Sequence, residues 1–163
     1  MNKYKEKDFY ESVVNWLCSY LKRKYNKASY VICDDTSKTL LSDFIERNNL
    51  SGFFPALETY KIRVDVTGIF VESKIAEIVI VEVKLKPISL TNFAQILGYS
   101  KVVKPKEAFI VSPSGWSSVI EKLIRVYKRS DILLYDDEDK EKKIRIAKWD
   151  TTSNSIRDGD YLS

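Results

Sequence analysis

The chain has 163 residues, a formal net charge of +4, and 44% hydrophobic against 31% charged residues, a balance typical of one globular domain with a sizeable core. It contains no histidine, which excludes Ser-His-Asp triads, Cys-His proteases and histidine-based zinc sites. No apolar run reaches the roughly 18 residues of a membrane span and the N-terminus has no signal-peptide core, so we expect a cytoplasmic protein without a membrane partner.

Apolar residues at helical spacing predict a first helix over residues 5 to 25. Its broad apolar arc indicates packing against a sheet, with Glu11 at the edge of the arc and Glu6 near its middle. Basic residues end this helix, where they complement the helix dipole or contact a phosphate backbone.

The next segment, 29 to 58, carries no chemical signal, and we assign it no role. Ser29 to Cys33 is predicted to be a short strand, Asp34 to Ser37 a turn and helix N-cap, and Lys38 to Asn48 a second helix. Cys18 and Cys33 lack metal-ligand spacing and are interpreted as buried thiols in a reducing compartment.

Two strands follow. Residues alternate between apolar and polar over Ile62 to Thr67, which predicts a half-buried strand that carries Asp65 on its polar face. The apolar run from Ile78 to Leu85 predicts a central strand that is covered on both faces. The polar stretch 72 to 74 between them predicts an antiparallel hairpin.

Ionisable residues at the end of that apolar strand need a reason, because burying an unpaired charge is costly. Glu82 and Lys84 are two apart and leave the same face. The hairpin brings Asp65 beside Glu82, and a divalent cation relieves the repulsion between two such carboxylates. The alternative interpretation is an ordinary Glu82–Lys84 salt bridge with a solvated Asp65.

A helix over residues 89 to 103 places Gln95 and Tyr99, four apart, on one face. An amphipathic helix is predicted over Trp116 to Arg129, with Val119 and Tyr127 among its inward residues. The remaining predicted elements are strands at Glu107 to Ser112, Ile132 to Tyr135 and Ile144 to Trp149, followed by a frayed tail from Asp150.

Asp65, then Glu82-x-Lys84, then Gln95-x-x-x-Tyr99 resemble, in this order, the PD-(D/E)XK nuclease superfamily, and most closely its RecB-type nuclease domains. The resemblance covers about residues 5 to 135, whereas 136–163 form a charged loop, an edge strand and a tail. Val64 stands where many members have proline. The resemblance implies one domain over 1–163 with an α/β, restriction-endonuclease-like core: a central mixed β-sheet flanked by helices.

It also implies a site. Asp65, Glu82 and the carbonyl of Val83 would bind Mg²⁺, for which Mn²⁺ substitutes, because Mg²⁺ prefers oxygen ligands. Lys84 would orient the attacking water or stabilise the transition state. The further site residues are Gln95 and Tyr99, which would hold a phosphate, a water or Lys84, and Glu11, which is favoured over Glu6 as an outer ligand.

We therefore expect a metal-dependent nuclease that hydrolyses DNA phosphodiester bonds, a Mg-dependent deoxyribonuclease. Lys101, Lys104 and Arg125 are the expected phosphate contacts. Two alternatives remain open. One is a Holliday-junction resolvase-like endonuclease, which acts as a homodimer, and the other is a noncatalytic DNA-binding or scaffold module on the same fold.

Overall fold

The computed structural model describes residues 5 to 163. Its elements in chain order are α1 (Lys7–Lys24), β1 (Tyr30–Asp35), α2 (Leu41–Arg47), β2 (Val66–Glu72), β3 (Ile75–Val83), α3 (Leu90–Val103), β4 (Glu107–Ser112), α4 (Ser118–Glu121, continued by a π-helical turn Lys122–Val126) and β5 (Ile144–Lys148). No helix within these residues has the length and apolar character that a membrane crossing needs.

The strands form one mixed sheet in the order β1-β2-β3-β4-β5. The first three are antiparallel, and β3, β4 and β5 are parallel. Alternate residues of β3 enter two cores: Ile78 and Ile80 pack with α2, α3 and α4, whereas Val79 and Val81 pack with α1. The predicted α/β class, a mixed sheet flanked by helices, is confirmed. The restriction-endonuclease-like assignment stays a prediction.

The predicted hairpin is confirmed as well. Ser73 and Lys74 join β2 to β3 with φ of 50° and 65°, the left-handed pair that a two-residue turn between twisted strands needs. Within β2, Gly68 lets α1 approach closely, since a Cβ there would lie 2.7 Å from the Cδ1 of Leu21.

Three predicted boundaries before this hairpin are wrong. β1 continues through Asp35, α2 begins at Leu41, and β2 begins at Val66 instead of Ile62. The reason is that residues 60 to 64 bond to the start of α2 and not to a strand. The carbonyl of Val64 accepts the hydroxyl of Thr36 at 2.7 Å, and this contact holds the chain away from the sheet.

The C-terminal half differs in two places. Residues 130–133 form a 3₁₀ turn and not the predicted strand over 132–135. Val119 and Tyr127, predicted to face inward, are 53% and 68% exposed. For Tyr127 the reason is that the helix widens into a π turn at Lys122–Val126, which shifts the side-chain register of the residues after it.

The tail is not frayed. Asp150 and Ser155 exchange backbone hydrogen bonds, and the amide of Leu162 donates to the carbonyl of Ile146 at 2.9 Å. Tyr161 pairs with Ala147 of β5. The tail therefore covers the outer edge of β5, which would otherwise expose unpaired backbone groups.

A buried glutamate shows which way α1 runs. Glu107, the first residue of β4, accepts hydrogen bonds from Tyr20 at 2.7 Å, Tyr25 at 2.6 Å and Lys24 at 2.9 Å. Arg145 Nη1 lies 3.4 Å from Oε2, the oxygen that also accepts from Tyr20. The last turns of α1 thus lie where β4 begins, so the first turns of α1 lie at the carboxyl end of β3 and β4.

Glu107→Gln should lower the free energy of unfolding at pH 7 by about 1–3 kcal/mol, because it weakens charge-assisted bonds in a buried cluster. Burial raises the pKa of Glu107, but the donors Tyr25, Lys24 and Tyr20 outweigh it and the net pKa is lowered. A lowered carboxyl pKa contributes stability above the unfolded value, near 4.3, which is lost as pH falls. Urea unfolding at pH 7 and pH 4 should show the deficit shrinking in acid, and equal midpoints at pH 7 would contradict this account.

Candidate active site

The site lies at the carboxyl end of β3, the central strand of the sheet. Glu82 is only 4% exposed, Val83 is the last strand residue, and Lys84 follows directly. β3 is paired with a strand on each edge and covered by a packed core on each face. The charged groups at its end are therefore enclosed by neighbouring parts of the chain.

Asp65 leaves the β2 ladder beside Glu82. β2 pairs with β3 from Val66 opposite Val81, so one further step of this register sets Asp65 opposite Glu82. There the Asp65 side chain replaces a backbone acceptor, and its Oδ2 accepts the amide of Val83 at 2.8 Å. The carboxylate is therefore fixed at the end of the hairpin.

The other oxygen of Asp65 is held by α1. The hydroxyl of Tyr10 donates to Oδ1 at 3.0 Å. Burial, followed by the charge of Asp65, raises the pKa of Tyr10, so the phenol stays a donor. Tyr10 was not among the predicted site residues. Its signal was a polar group on the apolar arc of α1, where a core tyrosine needs a hydrogen-bond partner.

Glu82 has one oxygen occupied and one without a partner. Its Oε1 accepts Lys84 Nζ at 3.0 Å, whereas its buried Oε2 has no hydrogen-bond partner among residues 5–163. Burial and the charge of Asp65 raise the pKa of Glu82 to about 7. The pKa of Asp65 is also raised, by burial, even though Val83 and Tyr10 donate to it. Each carboxylate thus disfavours the charge of the other.

Lys84 remains a cation. Burial alone lowers the pKa of Lys84, but the nearby carboxyls of Glu82, Asp65 and Glu6 raise it above its usual value. Its side chain is 16% exposed and lines a cavity of about 430 Å³. The other residues around this cavity, which we call the lysine cavity, are Glu6, Leu85, Lys86 and Asn92.

Glu6 and not Glu11 lies beside this lysine. Glu11 is exposed, whereas Glu6 lines the lysine cavity and contributes to the pKa of Lys84. The physical reason is helical spacing: Glu6 precedes Tyr10 by four residues, so the two share the face that points at Asp65. The structure thus places the residue that the sequence analysis ranked second at the site.

The predicted helix face is present in α3, but it has no bond to Lys84. Gln95 Nε2 donates to the hydroxyl of Tyr99 at 3.0 Å. Asn92, one turn earlier, forms the capping box with Ser89 and reaches the lysine cavity. The hydrogen bond of Lys84 within the described residues goes to Glu82, so a role for Gln95 and Tyr99 would involve a bound substrate or water.

Two of the predicted phosphate contacts lie far from this site. α3 returns the chain from the end of β3 to the start of the parallel strand β4 and has 14 residues, about 21 Å of helix. Lys101 and Lys104 therefore lie at the opposite end, where Lys104 approaches Asp136 at 3.9 Å. Arg125 pairs with Glu121 at 2.7 Å and lies over Trp116. Lys86, which was not among the predicted site residues, lines the lysine cavity.

The donor set fits a hard divalent cation. Lys84 N donates to Val111 of β4, and in a trans peptide the preceding carbonyl points the opposite way, so the Val83 oxygen faces Asp65. Two carboxylates and a carbonyl suit Mg²⁺, which takes one or two protein carboxylates together with waters and phosphate. No group of three or more His, Cys, Asp or Glu suited to a metal occurs among residues 5–163.

Comparisons of the chain with protein-family models, with curated proteins and with solved structures find no significant match.

Glu82→Gln should stabilise the metal-free protein at pH 8 by on the order of 1–3 kcal/mol. Because the folded pKa of Glu82 is raised to about 7, the native state binds the proton more tightly than the unfolded chain. The stability that the protonated form provides is complete below the unfolded value, about 4.3, and is lost as pH rises through 7.

Glutamine does not ionise, so this loss should be absent from the variant. Thermal unfolding in EDTA at pH 5 and pH 8 measures the effect, with Glu107→Gln as the matched control of opposite sign. A variant less stable than wild type at pH 8 would show that the Lys84 ion pair outweighs the carboxylate repulsion.

Proposed function

We propose that the protein is a metal-dependent nuclease that hydrolyses DNA phosphodiester bonds. One observation carries the proposal: a buried carboxylate, Glu82, keeps an unpartnered oxygen and lies beside Asp65, whose charge raises its pKa. An arrangement of this kind costs stability unless a cation occupies it. Such strained ionisable groups concentrate at functional sites.

Asp65 and Glu82, with the carbonyl of Val83, would hold Mg²⁺, and Mn²⁺ would substitute for it. When bound, such an ion lowers the pKa of a coordinated water and neutralises charge on the phosphate. Tyr10 and the amide of Val83 fix Asp65 in advance, so this ligand needs no reorganisation when the substrate arrives.

Lys84 acts as a charge and not as a base. Its pKa is raised above the usual lysine value, so Nζ keeps its proton at neutral pH and donates hydrogen bonds. Held by Glu82 at 3.0 Å, the ammonium can stabilise negative charge that grows on the scissile phosphate. Lys86, at the same cavity, supplies a second cation for the flanking phosphate.

A noncatalytic DNA-binding module is the second candidate. The observation in its favour is the Glu82–Lys84 pair itself, since an ion pair at 3.0 Å is already complete without a substrate. The unpartnered Oε2 of Glu82 weighs against it, because a scaffold gains nothing from a buried oxygen without a bond.

Asp65→Asn should remove Mn²⁺ binding, because the proposed site has only two carboxylates and the substitution takes one charge away. Isothermal titration calorimetry with Mn²⁺ measures this, first on free protein and then with an uncleavable phosphorothioate DNA, which should tighten binding in wild type. Asp34→Asn is the matched control, because Asp34 is an exposed aspartate that pairs with Arg47. Equal Mn²⁺ affinity in wild type and Asp65→Asn would contradict the proposed metal site.

Lys84→Ala should lower the cleavage rate about 100- to 1000-fold and leave DNA affinity nearly unchanged. A group that acts on transition-state charge affects turnover more than ground-state binding. The measurements are single-turnover cleavage in Mg²⁺ and gel-shift binding in Ca²⁺. Lys106→Ala, at the opposite end of the sheet, is the control and should cut at the wild-type rate. Wild-type cleavage by Lys84→Ala would make the lysine a structural ion-pair partner.

A further inference from the structure

A second and larger cavity opens directly beside the lysine cavity. It has a volume of about 510 Å³ and lies between the first turns of α1, the turn that follows β4, and the tail. Leu85, the residue after Lys84, lines both cavities. A strand with its phosphate at Lys84 therefore has this space next to it, and we call the space the neighbouring cavity.

The wall that separates the two cavities is held in place by β4. The hydroxyl of Ser114 donates to the carbonyl of Leu85 at 2.8 Å, and that of Ser112 to the carbonyl of Lys86 at 2.9 Å. These bonds fasten the segment after Lys84 to the turn after β4. The neighbouring cavity is thus part of the folded protein, and its position relative to Lys84 is fixed.

The lining combines apolar surface with unused hydrogen-bonding groups. Phe9, Leu85 and Pro113 contribute the apolar part. The side chains of Ser12, Thr151 and Asn154 make no hydrogen bond within residues 5–163, so the chain leaves hydroxyl and amide groups available to a ligand. A concave apolar site with a few such polar groups is typical of small-molecule binding.

Charge decides which part of a nucleic acid fits there. The one charged residue among those lining the cavity is Asp8, whose carboxylate repels phosphate. Its Oδ2 accepts the amide of Lys5 at 2.8 Å, and Oδ1 can accept a hydrogen bond from an amino group of a ligand. The cations Lys84 and Lys86 belong to the lysine cavity instead. The two cavities therefore suit different groups. The lysine cavity suits a phosphate, and the neighbouring cavity suits an uncharged, flat group with hydrogen-bond donors and acceptors along its edges.

We propose that the neighbouring cavity binds one unpaired nucleobase of the strand whose phosphate lies at Lys84. A base inside a duplex is stacked and paired, so it can enter only from single-stranded DNA, a frayed end or an extruded nucleotide. This assignment rests on the proposed nuclease function, because that function places the phosphate of the bound strand at Lys84. It deepens that function by naming a substrate class, DNA that is unpaired at the cut.

The first test does not depend on cleavage. Backbone amide NMR shifts of the ¹⁵N-labelled protein are followed while 5′-deoxyadenosine monophosphate is added to millimolar concentration, beside deoxyribose 5-phosphate, which lacks the base. We expect the nucleotide, and not the sugar phosphate, to shift the amides of Ser12, Ser114 and Thr151. No shift at these amides, or equal shifts with both compounds, would overturn the base assignment whether or not the protein is a nuclease.

The second test uses strands that would occupy both cavities at once. Single-stranded oligonucleotides with one abasic position, moved along the strand, are assayed for binding in Ca²⁺ and for cleavage in Mg²⁺. We expect one position beside the cut at which loss of the base weakens binding roughly 5- to 100-fold, as for a stacked base. Cleavage of every abasic strand with unchanged affinity would overturn the base cavity and leave the nuclease proposal standing.

Variants that fill the cavity complete the test. Ser12→Phe fills it from α1 and Thr151→Trp from the tail, and each should abolish the response to the abasic position. Ser19→Phe, seven residues on along the same helix and exposed, is the matched control and should keep it. Thermal unfolding checks that each variant folds. Base binding by NMR without any phosphodiester cleavage would keep the cavity and overturn the nuclease function instead.

Discussion

The arrangement at the end of β3 depends on one interaction, the hydrogen bond from the amide of Val83 to the carboxylate of Asp65. This bond stands where the next backbone hydrogen bond of the β2–β3 ladder would be. The acceptor there is a side-chain carboxylate instead of a backbone carbonyl. This substitution brings a second carboxylate against Glu82 in a buried environment, and the mutual repulsion follows from the low polarity there. Tyr10, which donates to Asp65, and Lys84, which donates to Glu82, are then the groups that stabilise two such charges.

Two buried glutamates lie at opposite ends of the sheet, and their pKa values are shifted in opposite directions. At the start of β4, Glu107 is surrounded by donors and its pKa is lowered. At the end of β3, Glu82 keeps an unpartnered oxygen and its pKa is raised to about 7. α1 spans both, with Tyr20 and Lys24 at one end and Tyr10 at the other. The same helix thus donates to a stabilised carboxylate at one end and to one of two mutually repelling carboxylates at the other.

Topology explains why two cavities meet at that strained end. β3 and β4 are parallel neighbours, so the segments that follow them emerge side by side, as in other open α/β sheets whose ligands bind at the carboxyl ends of strands. The segment after β3 carries Lys84 to Lys86, and it accepts hydrogen bonds from Ser112 at the end of β4 and from Ser114 in the turn that follows. The tail first closes the far side of the neighbouring cavity with Thr151 and Asn154, and its last residues then cover β5.

Period and composition determined the hairpin, the central strand with Glu82 and Lys84, and the Gln95 helix, because these signals are local and repeat along the chain. The mixed sheet was expected from the family resemblance. Contacts between residues distant in sequence were decided only by the tertiary structure, which sets Tyr10 on Asp65 and places Glu6 beside Lys84 at the lysine cavity. β2 begins late because the hydroxyl of Thr36, 28 residues before Val64 in the chain, donates to the Val64 carbonyl. Such contacts arise from packing one element on another, and no spacing within a single element encodes them.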